Sequence, residues 1–256
     1  MAADLATLVA QLRTAGCVFA EDEAAILFAA ASDTSELAAL VARRIDGEPL
    51  EHVVGWAEFA GLRIPVAPGV FVPRRRTELV ARIAERVAPA SGTVVDLCCG
   101  AGAIAIALAT WREDLTVIAA DIDPVAVNLA RRALAALGGT AVVSDMDTSL
   151  PPGLQRAVDV VASCPPYVPG SQIALMPHEA RDHEPLRALD GGKDGARMQA
   201  RVFQAAARLL VPGGVCVVET SDHVVDATVA AATHAGLAAA VEEDDALGAV
   251  VVVATQ

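Results

Sequence analysis

The fold of this chain is decided by one short stretch, Val94-Val95-Asp96-Leu97-Cys98-Cys99-Gly100-Ala101-Gly102. Its first half is apolar and has the length of a buried strand, and it runs into two glycines and then an alanine-rich helix. Glycine lets the backbone approach a ligand closely, because no side chain blocks the way. Strand, glycine turn and helix in this order are typical of sites for nucleoside-containing cofactors, although an ordinary strand-to-helix turn has the same appearance.

Outward from this stretch, strands alternate with helices to the end of the chain. This rhythm predicts an α/β fold with a mostly parallel sheet and helices on both faces. Ligands gather at the carboxyl ends of the strands in such sheets. The predicted strands are 93–98, 115–121, 140–144, 157–163, 213–220, 237–242 and 248–254.

The sequence before this region has a different pattern. From Ala2 to about Gly55 the apolar residues recur at helical spacing, with Thr34 and Ser35 as the expected N-cap of one helix and Gly47 as its stop. Alternation then predicts a β-hairpin. This pattern divides the chain into a helical domain at 1–55, a hairpin linker at 56–72 and an α/β domain at 73–256 that contains the cofactor motif.

Composition limits the class of protein. The chain has 256 residues, 54% of them hydrophobic, and a formal charge of −13, which disfavours a nucleic acid partner. It has no apolar run of about 20 residues and no basic leader, so we expect a cytoplasmic protein without a membrane partner. Its five cysteines lack metal-ligand spacing and are expected to be reduced, buried thiols, with no metal site.

Two aspartates support a nucleoside cofactor. Asp121 ends a predicted strand about twenty residues after the glycine turn, where a carboxylate can accept both hydroxyls of a ribose. Asp145, also at a strand end, could receive the adenine amino group or could be a turn residue. Because the G-x-G-x-x-G pattern is absent, S-adenosylmethionine is favoured over NAD. Asp123 precedes Pro124 and is expected to be a helix N-cap.

The stretch Ser163-Cys164-Pro165-Pro166-Tyr167 follows another apolar strand. Two prolines make a stiff turn, which leaves the carbonyls of Cys164 and Pro165 available to accept hydrogen bonds from a substrate. Beside a nucleoside cofactor, this turn predicts a methyl-transfer enzyme. The segment from Cys164 to Gly192 is predicted to be a long functional loop, with Tyr167 either a pocket wall or packed beneath it.

These motifs resemble the HemK-type family of glutamine side-chain amide methyltransferases, which modify proteins of the translation apparatus. The resemblance is closest to an actinobacterial-like branch with unassigned substrate. It implies a seven-stranded class I methyltransferase fold, S-adenosylmethionine as donor and S-adenosylhomocysteine as product. It is carried by Gly47-Glu48-Pro49-Leu50, Phe71-Val72-Pro73-Arg74, the stretch 96–102, the C-P-P-Y turn and Glu184-Pro185 to Gly195.

The resemblance also implies roles for individual residues. The methionine part of the donor would lie near Asp96, Gly100 and Gly102, its ribose at Asp121 and its adenine near Asp145. The cofactor site is completed by Phe71, Arg74, Cys98, Ile122, Met146 and Cys164. The predicted catalytic turn is Cys164, Pro165, Pro166 and Tyr167, and the predicted substrate contacts are Pro165, Tyr167 and Glu184.

The chain departs from the family pattern at two places. Cys164 stands where the family has the asparagine that accepts an amide N–H, and a thiol is a weaker acceptor. The usual P-R-P-E-T is P-R-R-R-T, so Arg75 and Arg76 could meet an acidic partner. The acceptor is therefore either a glutamine exposed on a protein or a small molecule.

The sequence leaves three further alternatives open. The chain could bind the cofactor without turnover, or be a nucleic-acid adenine methylase, which the acidic charge disfavours. Cys164 could also be a nucleophile or a metal ligand. His178 and His183 lie within twenty residues of it, but the sequence marks neither as a fixed base, and metal-ligand spacing is absent.

Overall fold

The computed structural model describes residues 5–256, so the predicted helical residues 2–4 lie outside the described part. The ten helices of this part are α1 Leu5–Thr14, α2 Ala20–Ala30, α3 Thr34–Ile45, α4 Leu50–Val54, α5 Glu78–Val87, α6 Ala103–Trp111, α7 Pro124–Ala135, α8 His178–His183, α9 Arg197–Leu209 and α10 Val225–His234. The eleven strands are β1 Trp56–Phe59, β2 Leu62–Pro65, β3 Thr93–Leu97, β4 Thr116–Asp121, β5 Thr140–Val143, β6 Val158–Ser163, β7 Val168–Pro169, β8 Asp190–Gly192, β9 Leu210–Thr220, β10 Ala238–Asp244 and β11 Ala249–Thr255.

The first four helices pack around their own apolar core, in which Leu12 and Leu27 are fully buried. The N-cap of α3 is Asp33, whose carboxylate accepts hydrogen bonds from the backbone N–H groups of Ser35 and Glu36. The expected cap at Thr34 and Ser35 is therefore wrong by one to two residues, because a carboxylate one position earlier reaches the same free N–H groups. The expected stop is confirmed, since α3 ends just before Gly47.

The predicted hairpin is present but shorter than expected. β1 and β2 pair antiparallel from Trp56 opposite Pro65 to Phe59 opposite Leu62. Ala60 and Gly61 form the turn, and both have positive φ. Residues 66–72 lie outside the strands and lead toward α5.

One seven-stranded sheet organises the rest of the described chain. Its order is β10-β11-β9-β6-β3-β4-β5, and β11 alone runs in the opposite direction to the other six strands. Helices α5, α6 and α7 pack on one face, and α9 and α10 on the other. The seven strands predicted from the sequence are thereby confirmed, each within three residues at either end, and the carboxyl ends of the parallel strands meet at one edge.

The segment 164–192 is not the structureless loop that its low apolar content predicted. It contains β7, α8, β8 and two short 3-10 turns, Gly170–Leu175 and Leu186–Ala188. β7 pairs with β8, so the segment folds back on itself. These elements are too short to show a periodic pattern in the sequence.

Candidate active site

A cavity of about 460 Å³ opens at the carboxyl edge of the sheet, beside the ends of β3, β4, β5 and β6. The glycine turn, Asp121, Asp145 and Cys164 all line it, as their positions after predicted strands indicated. Nine predicted site residues line this cavity: Phe71, Cys98, Gly100, Asp121, Ile122, Asp145, Met146, Cys164 and Pro166. Of the other predicted residues, Arg74, Asp96, Gly102, Pro165, Tyr167 and Glu184 are not among its lining residues.

The turn after β3 is held by Asp121 at the end of β4. One carboxylate oxygen of Asp121 accepts the N–H of Gly100 at 2.9 Å, and the other accepts the N–H of Asp123 at 2.8 Å. A Cβ added to Gly100 would meet no atom within 4 Å, so open space lies beside the turn. Burial raises the pKa of Asp121, while the two N–H groups oppose that shift. Each carboxylate oxygen keeps a lone pair for a ligand hydroxyl.

Gly102 differs from Gly100 in that it lies at a tight contact between helices. Its φ is +85°, and an added Cβ would lie 2.8 Å from the Cβ of Ala130. The residue thus allows α6 to begin directly against α7. The structure places Gly102 in helix packing, away from the cavity wall.

Asp96 lies at the core end of the same turn and is fully buried. One of its oxygens accepts the N–H of Ala105 at 3.2 Å, and the other has no partner among residues 5–256. Burial raises the pKa of Asp96 to about 8. A cationic ligand placed nearby would favour the ionised form of this carboxyl group.

Two non-glycine residues that line the cavity have a left-handed backbone conformation, with positive φ. Cys98 has φ of 58° and Met146 has φ of 54°. Such conformations are costly for ordinary residues and cluster at ligand sites. At Cys98 and Met146 they turn the chain sharply at the ends of β3 and β5, where the backbone meets the cavity.

The far end of the cavity is rich in charge pairs. Both oxygens of Asp145 accept hydrogen bonds from Arg201 at 2.8 Å, so an adenine amino group would share this carboxylate with a guanidinium. Asp123 caps α7 through the N–H of Val125, as predicted, and also pairs with Arg187 at 2.6 Å.

Arg74 and Glu184 form a bridge beside the entrance. Arg74 donates to Glu184 at 2.6 Å, and its guanidinium also stacks 5.0 Å from the ring centre of Phe71. The same Glu184 oxygen accepts the N–H of Val72 at 3.2 Å. Burial raises the pKa of Glu184, and Arg74 opposes that shift. The bridge fixes segment 164–192 against the chain that precedes α5.

A second polar cluster lies at the C-P-P-Y turn. The Tyr167 hydroxyl donates to Glu219 at 2.7 Å, and Arg76 Nε lies 2.8 Å from that hydroxyl and 2.9 Å from the same carboxylate oxygen. The Thr77 hydroxyl is 3.7 Å from the sulfur of Cys164. The acidic partner expected for Arg76 is therefore Glu219 of the same chain, and Tyr167 belongs to this cluster.

The helical N-terminal part is joined to segment 164–192. Arg44 of α3 is buried and pairs with Glu23 of α2 at 2.6 Å and with Glu179 of α8 at 2.7 Å. Near it, Gly47 packs against His178, whose ring would lie 2.8 Å from an added Cβ. The first helices thus contact the segment that borders the cavity.

Sequence reasoning missed several residues at the site. Glu219 comes near the carboxyl end of a predicted strand, the rule that identified Asp121, so the sequence contained a signal for it. Ser144 ends the predicted strand 140–144 and so carried the same signal, whereas Thr77 and Arg201 carried no comparable signal. All three line the cavity because α5, the chain after β5 and α9 converge there.

Within residues 5–256, no group of three or more His, Cys, Asp or Glu side chains could hold a metal ion. All five cysteines are free, and Cys17, Cys99 and Cys216 are buried. No helix of this part is both long and apolar enough to span a membrane.

Comparisons with known proteins agree with this geometry. A sequence profile of the family described as Methyltransferase small domain matches residues 62–180. The chain is 40% identical over 221 residues to a Mycolicibacterium smegmatis protein named release factor glutamine methyltransferase, covering 84% of this chain and 78% of that one. It is 38% identical over 186 residues to a Streptomyces pristinaespiralis protein named 4-amino-L-phenylalanine/4-methylamino-L-phenylalanine methyltransferase, covering 70% of this chain and 63% of that one.

A solved methyltransferase from Pyrococcus furiosus shares the fold, with a TM-score of 0.54 at 17% identity over 77% of this chain and 89% of that one. Fold and cavity together define a class I S-adenosylmethionine-dependent methyltransferase. The chain belongs to the HemK-type methyltransferase family, as its 40% identity to the Mycolicibacterium smegmatis relative over 84% of this chain shows.

The residues present fit S-adenosylmethionine. Asp121 faces the cavity with free lone pairs, Gly100 leaves open space beside it, and Asp96 keeps an unpartnered oxygen below the turn. The cofactor supplies an electrophilic methyl group on a sulfonium. Asp121 would hold its ribose, and the buried Asp96 beneath the turn would attract its cationic part through its charge.

Proposed function

We propose that this protein methylates the side-chain amide nitrogen of a glutamine in a translation release factor, with S-adenosylmethionine as the methyl donor. The observation that carries this proposal is a shared cavity. Cys164 and Pro166 of the C-P-P-Y turn line the same space as Gly100 and Asp121 of the cofactor turn. An acceptor nitrogen held at the first turn would thus lie near a cofactor held at the second. The name of the Mycolicibacterium smegmatis relative supplies the substrate class.

The chemistry needs precise placement more than a reactive side chain. Resonance draws the lone pair of an amide nitrogen into the carbonyl, so the nitrogen is a poor nucleophile. Two features lower the barrier to methyl transfer. The nitrogen is aligned with the methyl group, and hydrogen-bond acceptors stabilise its N–H groups as positive charge develops on them. We assign this placement to Cys164, to the carbonyl of Pro165 and to the rigid prolines, with Tyr167 fixing the turn from behind.

We further propose that residues 1–55 recognise the protein substrate. Their contact with segment 164–192, through Arg44 and Glu179, would connect recognition with the acceptor end of the cavity.

A second candidate is methylation of a small arylamine. Cys164 replaces the asparagine of the family pattern, and the Streptomyces pristinaespiralis relative is named for an aminophenylalanine. An arylamine nitrogen keeps more of its lone pair than an amide does, so it needs less help from paired acceptors.

The test is a methylation assay with labelled cofactor and two acceptors. The acceptors are a purified bacterial release factor and 4-amino-L-phenylalanine, and peptide mass spectrometry locates the added methyl group. We expect methylation of a glutamine side chain in the release factor. A release factor variant with that glutamine changed to alanine is the matched control. Label found in the amino acid alone would contradict the glutamine proposal and support the second candidate.

A further inference from the structure

Cys164 and Glu219 occupy equivalent positions on neighbouring strands. Ser163 of β6 lies opposite Val218 of β9 in the parallel register. Cys164 and Glu219, the next residue in each segment, are therefore also neighbours. Side chains alternate between the two faces of a sheet, and adjacent strands are about 4.8 Å apart. Both side chains therefore belong to the face that α5 covers, as the buried Ala162 and Val217 do.

Glu219 has one carboxylate oxygen that is used and one that is not. Oε1 accepts from Tyr167 and Arg76, whereas Oε2 is buried and has no partner in the described chain. The side chain itself is inaccessible to solvent. An unpaired buried carboxylate oxygen is costly and calls for a functional explanation.

The sulfur of Cys164 lies at the cavity and near enough to Glu219 for the charge of this carboxylate to act on the thiol. Cys164 lines the cavity, and the Thr77 hydroxyl donates to its sulfur. Because Thr77 is the donor in this contact, the hydrogen of the thiol is available for another acceptor. Burial raises the pKa of Cys164 well above its usual value, and the charge of Glu219 raises it further, so the thiol keeps its hydrogen.

We propose that Glu219 is a positioning residue for methyl transfer: its free oxygen takes the Cys164 S–H, which leaves a sulfur lone pair facing the cavity as acceptor for one substrate N–H. This inference rests on the proposed transfer to nitrogen. Donation to a carboxylate makes the sulfur more electron-rich, because linked hydrogen bonds polarise one another. A thiol polarised in this way is a better acceptor than an isolated one, which offsets the absence of an amide oxygen at this position.

Arg76 and Tyr167 complete the arrangement. Both donate to Oε1 of Glu219, and the guanidinium of Arg76 balances the charge of this carboxylate. The two departures from the family pattern, at residues 76 and 164, thus meet at one carboxylate.

The first test needs no acceptor. Raman spectra of the full chain are recorded, and difference spectra against Cys164→Ala and Cys216→Ala assign two S–H stretching bands. Cys216 is the matched reference, since its pKa is raised by burial alone. We expect the Cys164 band at lower wavenumber, as for a thiol that donates to a carboxylate. Bands at equal positions, or a higher band for Cys164, would overturn the proposal.

The same band is then followed in Glu219→Gln. We expect it to move toward the Cys216 position, because the charge that attracts the thiol hydrogen is gone. An unchanged band would contradict the proposal. Glu242→Gln, which alters an exposed pair with Arg86, is the matched control and should leave the band in place.

The second test uses the methylated acceptor. We expect Glu219→Gln to lower kcat/KM for the acceptor about tenfold, the equivalent of one neutral hydrogen bond, with cofactor affinity unchanged. In a Cys164→Ala background the same change should have no further effect, and additive losses would contradict action through Cys164. If neither acceptor is methylated by the unaltered protein, the proposed function fails, whereas the Raman comparison still decides this inference.

Discussion

The two ends of the cavity are built in different ways. At the cofactor end, Asp121 holds backbone N–H groups of the turns beside it, and the partners lie within about twenty residues in sequence. At the acceptor end, Arg76, Tyr167 and Glu219 hold one another through side chains that come from segments up to 143 residues apart. The cofactor end is therefore held by local contacts. The acceptor end depends on tertiary contacts, and under the proposed function substrate choice would depend on them.

The largest effect that separates the two ends is expected at Asp121. Asp121→Ala removes the acceptors for two backbone N–H groups and for the ribose, so we expect cofactor affinity to fall about 100-fold or more. Isothermal titration with S-adenosylmethionine measures it. Asp22→Ala, an exposed aspartate in the first turn of α2, is the control and should bind normally. Unchanged affinity in Asp121→Ala would place the ribose elsewhere.

The two glycines of the cofactor turn are expected to respond differently. Gly102→Ala puts a Cβ 2.8 Å from Ala130 in a left-handed conformation, so we expect a loss of about 2 to 4 kcal/mol in the free energy of unfolding. Gly100→Ala enters open space, so its stability loss should be about 1 kcal/mol while cofactor affinity falls. Urea unfolding and titration of both variants test this difference. Equal stability losses would contradict the distinct roles of the two glycines.

The acceptor end should be changeable without loss of cofactor binding. Cys164→Asn supplies an amide oxygen, so we expect kcat/KM for the glutamine acceptor to change severalfold relative to that for the arylamine, at unchanged cofactor affinity. The ratio of the two kcat/KM values is the measurement, and Cys216→Ser, remote from the cavity, is the control. A simultaneous loss of cofactor affinity would show that the two ends are not separable.

At Asp96 we expect an effect on how the stability of the fold depends on pH. Its pKa in the folded chain, about 8, is above the ordinary value of 3.8, so the folded chain keeps a proton that the unfolded chain has released. The free energy of unfolding should accordingly fall as pH rises from about 4 to about 8. Asp96→Asn removes this contribution. Urea titrations across that range should show a smaller decrease for Asp96→Asn than for the unaltered chain, and parallel curves would contradict the raised pKa.

The sequence predicted the sheet well because its signals are local. Most strands of the seven-stranded sheet are short apolar runs bounded by turn residues, although β10 ends in Glu242, Glu243 and Asp244. β9 alone begins three residues earlier than expected, at Leu210. The glycine turn and Asp121 were identified for the same reason. At the α3 cap the local signal was misread, since Asp33 competes with Thr34 and Ser35 for the same N–H groups.

The acceptor end was only partly predictable for the opposite reason. Cys164 and the prolines were visible as a motif, but the contact of Arg76 with Glu219 depends on the order of strands in the sheet. Sequence spacing carries no information on such a pair. The turns of segment 164–192 were missed because each is stabilised by its neighbours instead of by a repeated apolar pattern.

The ion pairs of Arg44 bear on how this enzyme can be retargeted. The guanidinium of Arg44 connects α2 and α3 with α8, so ion pairs hold the N-terminal helices against segment 164–192. A chimera that exchanges the helices alone would keep the buried pair of Arg44 with Glu23 but would lose the partner of Arg44 at Glu179, with a loss of stability. Swaps between relatives should therefore transplant α2, α3 and α8 as one cassette, and natural divergence in substrate choice should carry matched changes at Glu23, Arg44 and Glu179.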